Sequence, residues 1–356
     1  MSTRKKTAVR ETDVIVIGAG PAGCAATIRA RQAGLRVVMF DANFKPKVSP
    51  GETLHPGVEP LLKQLGVLDQ FLRAGFRRHR GVWLEHGSPR HFLPYGEDTD
   101  GPWLGFQADR RTFHRILQQA VVDVQAILIR NTRPESVLME GQRVTGVIVN
   151  GKYVRASWTV DATGRSAWLA RKLELPVKVC SPPLGVQYGW RKEERPGLNG
   201  QPLFAFHNDG WDWQAPLEEN RYAWVKLRIG ESGGRPPAGI DLTWRLRPNC
   251  AGAGFFLLGD AAATLDPSAS HGVLRALMSG ILFGHLVEKH HRSEVEEAYI
   301  IGAFREWICA QFEHDEIHLR QHYVDSPAGR RFVGGYLPKE LNKRQNIGIE
   351  QICFIN

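Results

Sequence analysis

A glycine pattern near the amino end constrains the fold of this chain more than any other feature. Residues 13–17 (DVIVI) indicate a buried strand, and Gly18, Gly20 and Gly23 follow with the spacing G-x-G-x-x-G. In such a pattern the first glycine permits a tight turn, the second lets the backbone approach a pyrophosphate, and the third lets helix and strand pack closely. The pattern predicts a dinucleotide site, although glycine-rich turns also join strands to helices without binding a ligand.

The residues after the glycines continue the pattern. A helix is expected over residues 21–33, with Pro21 near its start and Gly34 as its C-cap. Its N-terminus would direct backbone N–H groups and a partial positive charge at a diphosphate. A second strand, residues 36–40, ends at Asp41, whose carboxylate can accept hydrogen bonds from an adenosine ribose. The order of these features, from the first strand through the glycines and the helix to the second strand and Asp41, favours the dinucleotide site over a purely structural turn.

Length and composition favour two domains. The chain has 356 residues, of which 42% are hydrophobic, and this is too long for one ordinary core. Its 5 cysteines are scattered without a C-x-x-C pair, which fits a reducing cytoplasm and argues against a disulfide framework or a zinc ribbon. No apolar run approaches the roughly 18 residues that span a bilayer, and residues 1–6 lack the apolar segment of a secretory signal. A cytoplasmic protein without a membrane span is expected.

The net charge of +9 raises the question of a nucleic-acid partner. Apart from the N-terminal tail and residues 77–80 (RRHR), the basic residues are dispersed, and no nucleic-acid-binding module accompanies them. A solvated basic surface, which an acidic protein could also meet, accounts for the charge. No nucleic acid is therefore expected as a partner.

Hydrophobic patterning predicts an α/β protein. Helical spacing of leucines indicates a helical pair over residues 58–74, and an amphipathic helix is expected over residues 109–121. Alternating residues from 136 to 149 indicate a β-hairpin, and residues 176–248 are strand-like and rich in tryptophan. A tail (1–11) and a long connection (42–57) lie outside this pattern. Three parts are expected, namely a discontinuous cofactor-binding domain (12–80, 105–175 and 250–290), an inserted β-rich substrate domain (81–104 and 176–249), and a helical C-terminal region with a tail (291–356).

Two further motifs lie where predicted strands end. Residues 161–164 (DATG) form the first, and residues 259–262 (GDAA), followed by Asp266 and Pro267, form the second. Together with the glycine pattern, and in this order, they resemble the FAD-dependent monooxygenases of the p-hydroxybenzoate hydroxylase type over roughly residues 12–310. The resemblance implies a Rossmann-like domain that binds FAD.

The resemblance also implies which residues hold FAD. Asp41 would bind the adenosine ribose, although the family more often has glutamate at this position. Arg110 would reach the phosphate or ribityl region, and Gly259 with Asp260 would bind the diphosphate–ribityl linkage. A helix beginning at about Gly272 would direct its N-terminus at the flavin N1–C2=O region, where negative charge develops on reduction.

Two segments are similar to the flavin-dependent halogenase branch of this superfamily. Residues 51–56 (GETLHP) resemble its G-E-[ST]-x-x-P loop, and residues 210–216 (GWDWQAP) resemble its W-x-W-x-I-P motif, with Ala215 where isoleucine is usual. The second match makes Trp211 and Trp213 candidate substrate-binding residues. Two aromatic side chains on one face of a strand are also typical of a protein core.

The sequence departs from the halogenases where halogenation requires particular groups. Their A-G-F-x-x-K-x-G pattern falls on residues 74–81 and places His79 at the position of the lysine that handles hypohalous acid. Their halide pocket, a Ser-Gly or Thr-Gly pair, falls on residues 270–272 (SHG). At neutral pH an imidazole is mostly uncharged and offers one donor, whereas an ammonium offers three. Halogenation is therefore the alternative and not the first interpretation.

A third resemblance joins residues 51–57 (GETLHPG) to residues 270–280 (SHGVLRALMSG). The pair is similar to flavoproteins that mature quinone cofactors by acting on tryptophan side chains of partner proteins. It implies an FAD-dependent monooxygenase that hydroxylates an indole-like substrate, either an aromatic small molecule or a tryptophan-bearing partner protein. An external flavin reductase or another electron donor would reduce the FAD, since the sequence has no second G-x-G-x-x-G. A non-catalytic FAD-binding partner protein and an isoprenoid reductase of this fold remain as alternatives.

Histidines supply the predicted acid–base groups. His55 and His271 each lie in one of the motif loops, and His79 is a third candidate. A histidine in such a loop can also serve only to hydrogen-bond the backbone.

A separate group of histidines suggests a metal site at first sight. His314, His318 and His322 fall at i, i+4 and i+8 of a predicted helix. This spacing extends over about 12 Å of helix, too far for one ion to meet all three rings. A surface stripe is the preferred interpretation, and no metal is expected.

Overall fold

The computed structural model describes residues 10–43, 52–85, 89–192, 198–218, 221–231, 234–324, 326–329 and 332. The expected tail up to residue 9, residues 44–51 of the long connection and the chain from residue 333 onward lie outside the described residues. Gly51, the first residue of the GETLHPG segment, lies outside them as well.

In the described residues, helices and strands alternate along the first half of the chain, and the last element is a long helix. The helices are α1 (Pro21–Gln32), α2 (Val58–Gln64), α3 (Leu68–Arg73), α4 (Arg110–Asp123), α5 (Trp168–Lys172), α6 (Gly272–His291) and α7 (Glu297–Val324). The strands are β1 (Arg10–Ile17), β2 (Val37–Phe40), β3 (Glu52–Leu54), β4 (Arg77–His79), β5 (Gly81–Glu85), β6 (His91–Pro94), β7 (Glu97–Asp98), β8 (Gly101–Pro102), β9 (Gly105–Ala108), β10 (Ile127–Ile129), β11 (Ser136–Glu140), β12 (Arg143–Val149), β13 (Lys152–Asp161), β14 (Lys178–Val179), β15 (Leu184–Lys192), β16 (Leu203–His207), β17 (Gly210–Glu218), β18 (Arg221–Ile229), β19 (Ile240–Asp241), β20 (Arg245–Leu246), β21 (Ala251–Gly252), β22 (Phe255–Leu257) and β23 (Ala263–Thr264).

An eight-stranded sheet carries the predicted strand–helix–strand unit. Its strands lie in the order β10-β2-β1-β13-β12-β11, and β22, which also pairs with β21, pairs with the end of β13. Strand β1 is parallel to both β2 and β13, and all four residues of β2 are buried. Such burial is typical of a central parallel strand with both faces covered. The α/β fold and the crossover through α1 are confirmed.

Helices α1 and α6 pack closely because small residues line their contact. A Cβ atom added at Gly280 would lie 2.4 Å from the Ala22 carbonyl oxygen, and one at Gly284 would lie 2.3 Å from Arg29 Cβ. Neither position accepts a side chain without movement of a helix. The contact therefore fixes the start of α6 relative to the turn between β1 and α1.

Two distant segments of the chain form a second sheet, of seven strands. The order is β19-β15-β18-β17-β16-β5-β6, so strands from residues 81–94 join strands from residues 184–241. The junction is the parallel pair β5 and β16, in which Trp83 lies opposite Leu203. Ala223 and Leu227 of β18 are buried on one face, as the alternation in the sequence predicts. The sheet supports an inserted β-rich domain, whose bounds stay a prediction.

Two local expectations change in the structure. The long connection over residues 42–57 contains strand β3, and the basic residues 77–79 form strand β4. Both strands pair with β9 in a three-stranded antiparallel sheet. Strands of three residues are too short to show a periodicity, and their partner lies far away in sequence.

The C-terminal region is helical through α7, as expected. Among the residues that the structure describes, no helix combines the length and the apolar character that crossing a membrane requires.

Candidate active site

The turn between β1 and α1 is shaped to receive a diphosphate. Gly18 has a φ of +104°, and a Cβ at Gly23 would lie 2.0 Å from the Gly18 carbonyl oxygen. A side chain is therefore excluded at both positions. At Gly20 an added Cβ would meet nothing within 4 Å, and no side chain caps α1. The N–H groups at the start of α1 are thus left for a ligand, and the open side at Gly20 gives a phosphate room to approach.

Asp41 follows β2 directly, at the same edge of the sheet. Its carboxylate is 8% exposed, and its Oδ1 accepts hydrogen bonds from the backbone N and the Nδ2 of Asn43 at 3.1 and 3.2 Å. These bonds fix the orientation of the carboxylate while engaging one of its two oxygens. The arrangement fits a ribose hydroxyl at the other oxygen.

The acid of the DATG motif has a structural task. Asp161 is fully buried, and its Oδ1 accepts bonds from Thr163 N at 2.9 Å and Thr163 Oγ1 at 2.6 Å. Its Oδ2 accepts a bond from Leu169 N at 2.8 Å. Burial raises the pKa of Asp161, and these hydrogen bonds act against that rise. The carboxylate thereby holds the turn between β13 and α5.

Asp260 and Arg110, both predicted to lie near the middle of FAD, are near enough for the charge of Arg110 to act on the Asp260 carboxylate. Burial raises the pKa of Asp260, and the positive charges of Arg275, Arg165 and Arg110 oppose that rise. Three guanidinium groups close to one carboxylate can accommodate a phosphate while the carboxylate accepts bonds from ribityl hydroxyls. Arg165 and Arg275 are not among the residues predicted from the sequence.

The start of α6 completes the features that fit FAD. A Cβ at Gly272 would meet nothing within 4 Å, and the N-cap residue His271 makes no side-chain capping bond. An uncapped helix N-terminus carries partial positive charge and free N–H groups. The residues present therefore fit FAD. Their predicted roles stay predictions, with the glycine turn expected at its diphosphate, Asp41 at its adenosine, Asp260 at its ribityl chain and Gly272 at its flavin.

The three histidines predicted as acid–base candidates lie in one cluster with Tyr95. The ring centroid of His55 is 5.2 Å from that of His271 and 5.4 Å from that of Tyr95. The Tyr95 ring in turn lies 5.2 Å from His79. We call these four residues the histidine cluster. Sequence reasoning missed Tyr95, because an isolated tyrosine after a short strand belongs to no motif.

Two rings of the histidine cluster are neutral at neutral pH. Burial, and after it the charges of His271 and His79, lower the pKa of His55 to about 4. Burial lowers the pKa of His79 to about 4 as well. The Gly57 N–H donates to His55 Nδ1 at 3.1 Å, so the proton of that neutral ring is on Nε2. His79 Nδ1 lies 3.2 Å from the Gly81 carbonyl oxygen and donates to it.

His271 connects the cluster to helix α7. Its Nδ1 lies 3.6 Å from Asp315 Oδ1, while Arg275 Nη1 lies 2.8 Å from Asp315 Oδ2. Burial acts to raise the pKa of Asp315, but the contacts with His271 and Arg275 hold it well below its usual range. Asp315 is therefore a buried, ionised carboxylate behind the histidine cluster. The sequence did not indicate it.

The two tryptophans predicted to contact substrate share one face of β17 and are buried. Trp211 is 1% exposed and Trp213 is 8% exposed. The Trp211 ring centroid lies 4.7 Å from that of Phe204, and its Nε1 donates to Tyr323 Oη at 2.8 Å. Trp211 is thus a packed residue with its N–H satisfied, and a role in substrate binding stays a prediction for both.

The three histidines of α7 differ in their surroundings. His322 is buried with its ring centroid 4.8 Å from that of Phe206, and burial lowers the pKa of His322 to about 4. His314 is exposed and lies 4.3 Å from His318, ring centroid to ring centroid. Among the described residues, no group of three His, Cys, Asp or Glu side chains is placed to hold a metal ion.

Comparisons with known proteins agree with the cofactor that this geometry fits. Residues 13–179 match the family model described as FAD dependent oxidoreductase. A tryptophan 2-halogenase of Chondromyces crocatus is 26% identical, with 87% of this chain and 69% of the relative covered. A 6-methylpretetramide 4-monooxygenase of Streptomyces rimosus is 24% identical, with 81% and 78% covered. These relatives are a halogenase and a monooxygenase, and the chain is an FAD-dependent oxidoreductase.

A solved structure shows the same fold. The chondrochloren halogenase of a myxobacterium superposes with a TM-score of 0.80 at 22% identity, and the match covers 94% of this chain and 88% of the halogenase. The predicted fold class of this FAD-dependent oxidoreductase is thereby confirmed, and its cofactor is FAD.

Proposed function

We propose that this FAD-dependent oxidoreductase is a monooxygenase that hydroxylates an electron-rich, indole-like aromatic ring. The observation that carries the proposal is the state of His79, which takes the position of the lysine in the halogenase pattern. The side chain is 1% exposed, and burial lowers the pKa of His79 to about 4. It is thus uncharged at neutral pH, where a lysine ammonium would hold and direct hypohalous acid.

The chemistry is divided between the cofactor and the protein. Reduced FAD supplies the electrons that activate O2. Insertion of one oxygen atom into an aromatic C–H bond uses two electrons and two protons, and the second oxygen atom leaves as water. The protein must therefore exclude bulk water, hold the ring and move protons. His55, with its proton on Nε2, and His271, at the start of α6, are the residues proposed for the proton steps.

An indole is the substrate class that we propose. The name of the Chondromyces crocatus relative states that it acts on tryptophan, whose side chain is an indole. The free amino acid, another small aromatic molecule and a tryptophan residue of a partner protein all present this ring. An external flavin reductase or another electron donor would reduce the FAD, since the sequence carries one G-x-G-x-x-G pattern.

The test supplies the holoprotein with a flavin reductase, NADH, O2 and bromide, and offers indole, free tryptophan and tryptophan-bearing peptides. We expect mass spectrometry to find a product heavier than the substrate by one oxygen atom, formed equally well without bromide. Reactions without the reductase serve as the control. Flavin reoxidation that yields only hydrogen peroxide with every substrate would contradict the proposal and favour a non-catalytic FAD-binding protein.

Halogenation remains the second candidate because a similar relative bears that activity in its name. It makes a different prediction in the same experiment. Bromide would then be required, and the product would carry the two-isotope pattern of bromine in its mass spectrum. Replacing His79 tests the same point, because a hydroxylase tolerates His79→Gln better than a halogenase that relies on this position.

A further inference from the structure

We propose that Asp315 is a positioning residue for His271, and that it joins the histidine cluster to solvent through His314 as a path for protons. The inference rests on the proposed function, because a hydroxylation that consumes protons in a dry site needs a route to supply them. It concerns Asp315 and His314 of α7, neither of which lies in one of the cofactor motifs.

The inner part of the path is the contact between two imidazoles. The rings of His55 and His271 are T-shaped, with centroids 5.2 Å apart and an interplanar angle of 88°. His55 keeps its proton on Nε2, since its Nδ1 accepts the Gly57 N–H. His271 therefore stands between the inner ring and the carboxylate of Asp315.

The outer part of the path is a carboxylate oxygen shared by two imidazoles. Asp315 Oδ1 lies 3.6 Å from Nδ1 of His271 and 3.5 Å from Nδ1 of His314. The side chain of Asp315 is 9% exposed, whereas that of His314 is 47% exposed. Two steps thus lead from the histidine cluster, in which the His271 side chain is 20% exposed, to the exposed ring of His314.

Arg275 determines which oxygen the histidines share. Its Nη1 donates to Asp315 Oδ2 at 2.8 Å, and this contact leaves Oδ1 to face the two rings. A carboxylate that only held α6 against α7 would need this ion pair alone. The convergence of two imidazoles on the other oxygen is the feature that a structural ion pair does not explain.

The geometry also fixes the tautomer that the path requires. A carboxylate accepts hydrogen bonds, so Asp315 favours the form of neutral His271 with its proton on Nδ1. Nε2 of His271 then carries a lone pair that can accept a proton from the cluster. When it does, the Nδ1 proton can pass by way of Asp315 Oδ1 to the unprotonated Nδ1 of His314, and the reverse sequence brings a proton inward. Asp315 holds the proton only in transit, because its ionised form is the stable one. The charged and titratable groups that face Asp315 are Arg275 and His271 on α6 and His314 on α7.

The experiment compares Asp315→Asn and His314→Gln with Glu313→Gln, a control at an exposed position of the same helix. The first readout needs no turnover. Long-range ¹H–¹⁵N spectra of the imidazoles in the oxidised holoprotein report the tautomer of each ring. We expect the Nδ1–H form of His271 to lose population in Asp315→Asn and to remain in Glu313→Gln, with FAD content retained in both. The melting temperature should be retained in Glu313→Gln and fall in Asp315→Asn, which leaves Arg275 without its carboxylate partner.

The second readout is the reoxidation by O2 of chemically reduced FAD in the holoprotein, without any aromatic substrate. We expect Asp315→Asn and His314→Gln to slow it by about tenfold or more, the low end of what positioned acid–base groups contribute. We also expect a larger solvent deuterium isotope effect, and added imidazole buffer should restore the rate. Wild-type rates in both variants would overturn the proposal, as would a slow Asp315→Asn that buffer does not rescue and whose His271 tautomer is unchanged.

These outcomes are separate from those that test the proposed function. A protein that hydroxylates no aromatic ring yet shows the tautomer change and buffer rescue would refute the proposed reaction and retain the path. Hydroxylation at the wild-type rate in both variants would refute the proton path and retain the proposed reaction.

Discussion

Burial, complete or partial, lowers the pKa of four of the described histidines. Burial lowers the pKa of His55, His79 and His322 to about 4. Burial, with a smaller effect of Arg110, lowers the pKa of His114 to about 3. These rings stay neutral in the folded protein at a pH where an unfolded chain protonates them. The folded state therefore binds fewer protons than the unfolded state in mildly acidic solution.

This difference predicts how stability depends on pH. Because the unfolded chain takes up more protons, the free energy of unfolding should fall as the pH drops from about 6.5 towards 4. Each ring whose pKa in the folded protein is about 4 lowers the free energy of unfolding by on the order of 3 kcal/mol. The full loss is reached once the pH is below the pKa of the ring in both the folded and the unfolded protein. Urea unfolding followed by circular dichroism at a series of pH values between about 7 and 5 measures the slope.

A matched pair of variants assigns that slope. His322→Gln removes a ring that packs on Phe206 and is far from the cofactor motifs in sequence. It should reduce the number of protons taken up on unfolding by about one, and the slope of stability against pH falls accordingly. His91→Gln, at an exposed position in β6, is the control for the substitution itself. A stability that is flat over this pH range would mean that the buried rings accept protons in the native state.

Sequence could predict some residues of the candidate site and not others. His55, His79 and His271 lie within motifs, and the structure brings their rings together with Tyr95. Tyr95 and Asp315 belong to no motif, and their neighbours in the site are far away in the chain. Only the pairing of β5 with β6 and the packing of α7 on α6 bring them there. Such contacts leave no local pattern in a single sequence.

At the scale of elements, the glycines in the turn between β1 and α1 have two different roles. Gly23 is needed for packing, whereas Gly20 leaves room for a ligand. A Cβ at Gly23 would lie 2.0 Å from the Gly18 carbonyl oxygen, whereas one at Gly20 would meet nothing within 4 Å. The backbone of Gly20 is extended, with a φ of −80° and a ψ of −177°, which alanine adopts without strain. The same substitution should therefore act on different properties at these two positions.

Gly23→Ala and Gly20→Ala form a matched pair for this prediction. Gly23→Ala forces α1 away from the turn and should destabilise the protein by roughly 1–3 kcal/mol, the range for overpacking. Gly20→Ala should leave the stability of the flavin-free protein unchanged, but its methyl group occupies the approach of the diphosphate, so FAD should bind at least about tenfold more weakly, a loss of about 1.4 kcal/mol. Thermal melts and flavin fluorescence titration measure the two effects. Unchanged FAD affinity in Gly20→Ala would place the diphosphate elsewhere.

The elements that the sequence predicts are those with a pattern of their own. The unit β1–α1–β2, the amphipathic α4 and the hairpin of β11 and β12 each show a periodicity with turn or cap residues at their ends, and the structure has them within a few residues. Strands β3 and β4 are three residues long and gain their order only from β9. The conformation of those segments is determined by their tertiary pairing, and their local sequence does not predict it.

At the scale of the whole molecule, one buried carboxylate joins three parts of the fold. Asp266, 2% exposed, accepts hydrogen bonds at Oδ2 from Trp244 Nε1 at 2.7 Å and from Tyr323 Oη at 3.2 Å. Tyr323 Oη in turn accepts the Nε1–H of Trp211 at 2.8 Å. Trp211 belongs to β17 of the seven-stranded sheet, and Trp244 directly precedes β20 of another sheet. The hydroxyl of Tyr323 thereby ties the end of α7 to both sheets.

Removing that hydroxyl tests how much the tie contributes to stability. Tyr323→Phe keeps the ring but leaves the Trp211 N–H buried without its acceptor and takes one donor from Asp266, so we expect a loss of about 1–3 kcal/mol in the free energy of unfolding. Tyr299→Phe, at a tyrosine 57% exposed on the same helix, is the control and should cost nothing measurable. Because Trp211→Phe already removes the N–H, Tyr323→Phe should cost less in that background, with a coupling of about 1 kcal/mol in urea unfolding. Additive effects would mean that the hydroxyl and the indole N–H stabilise the fold independently.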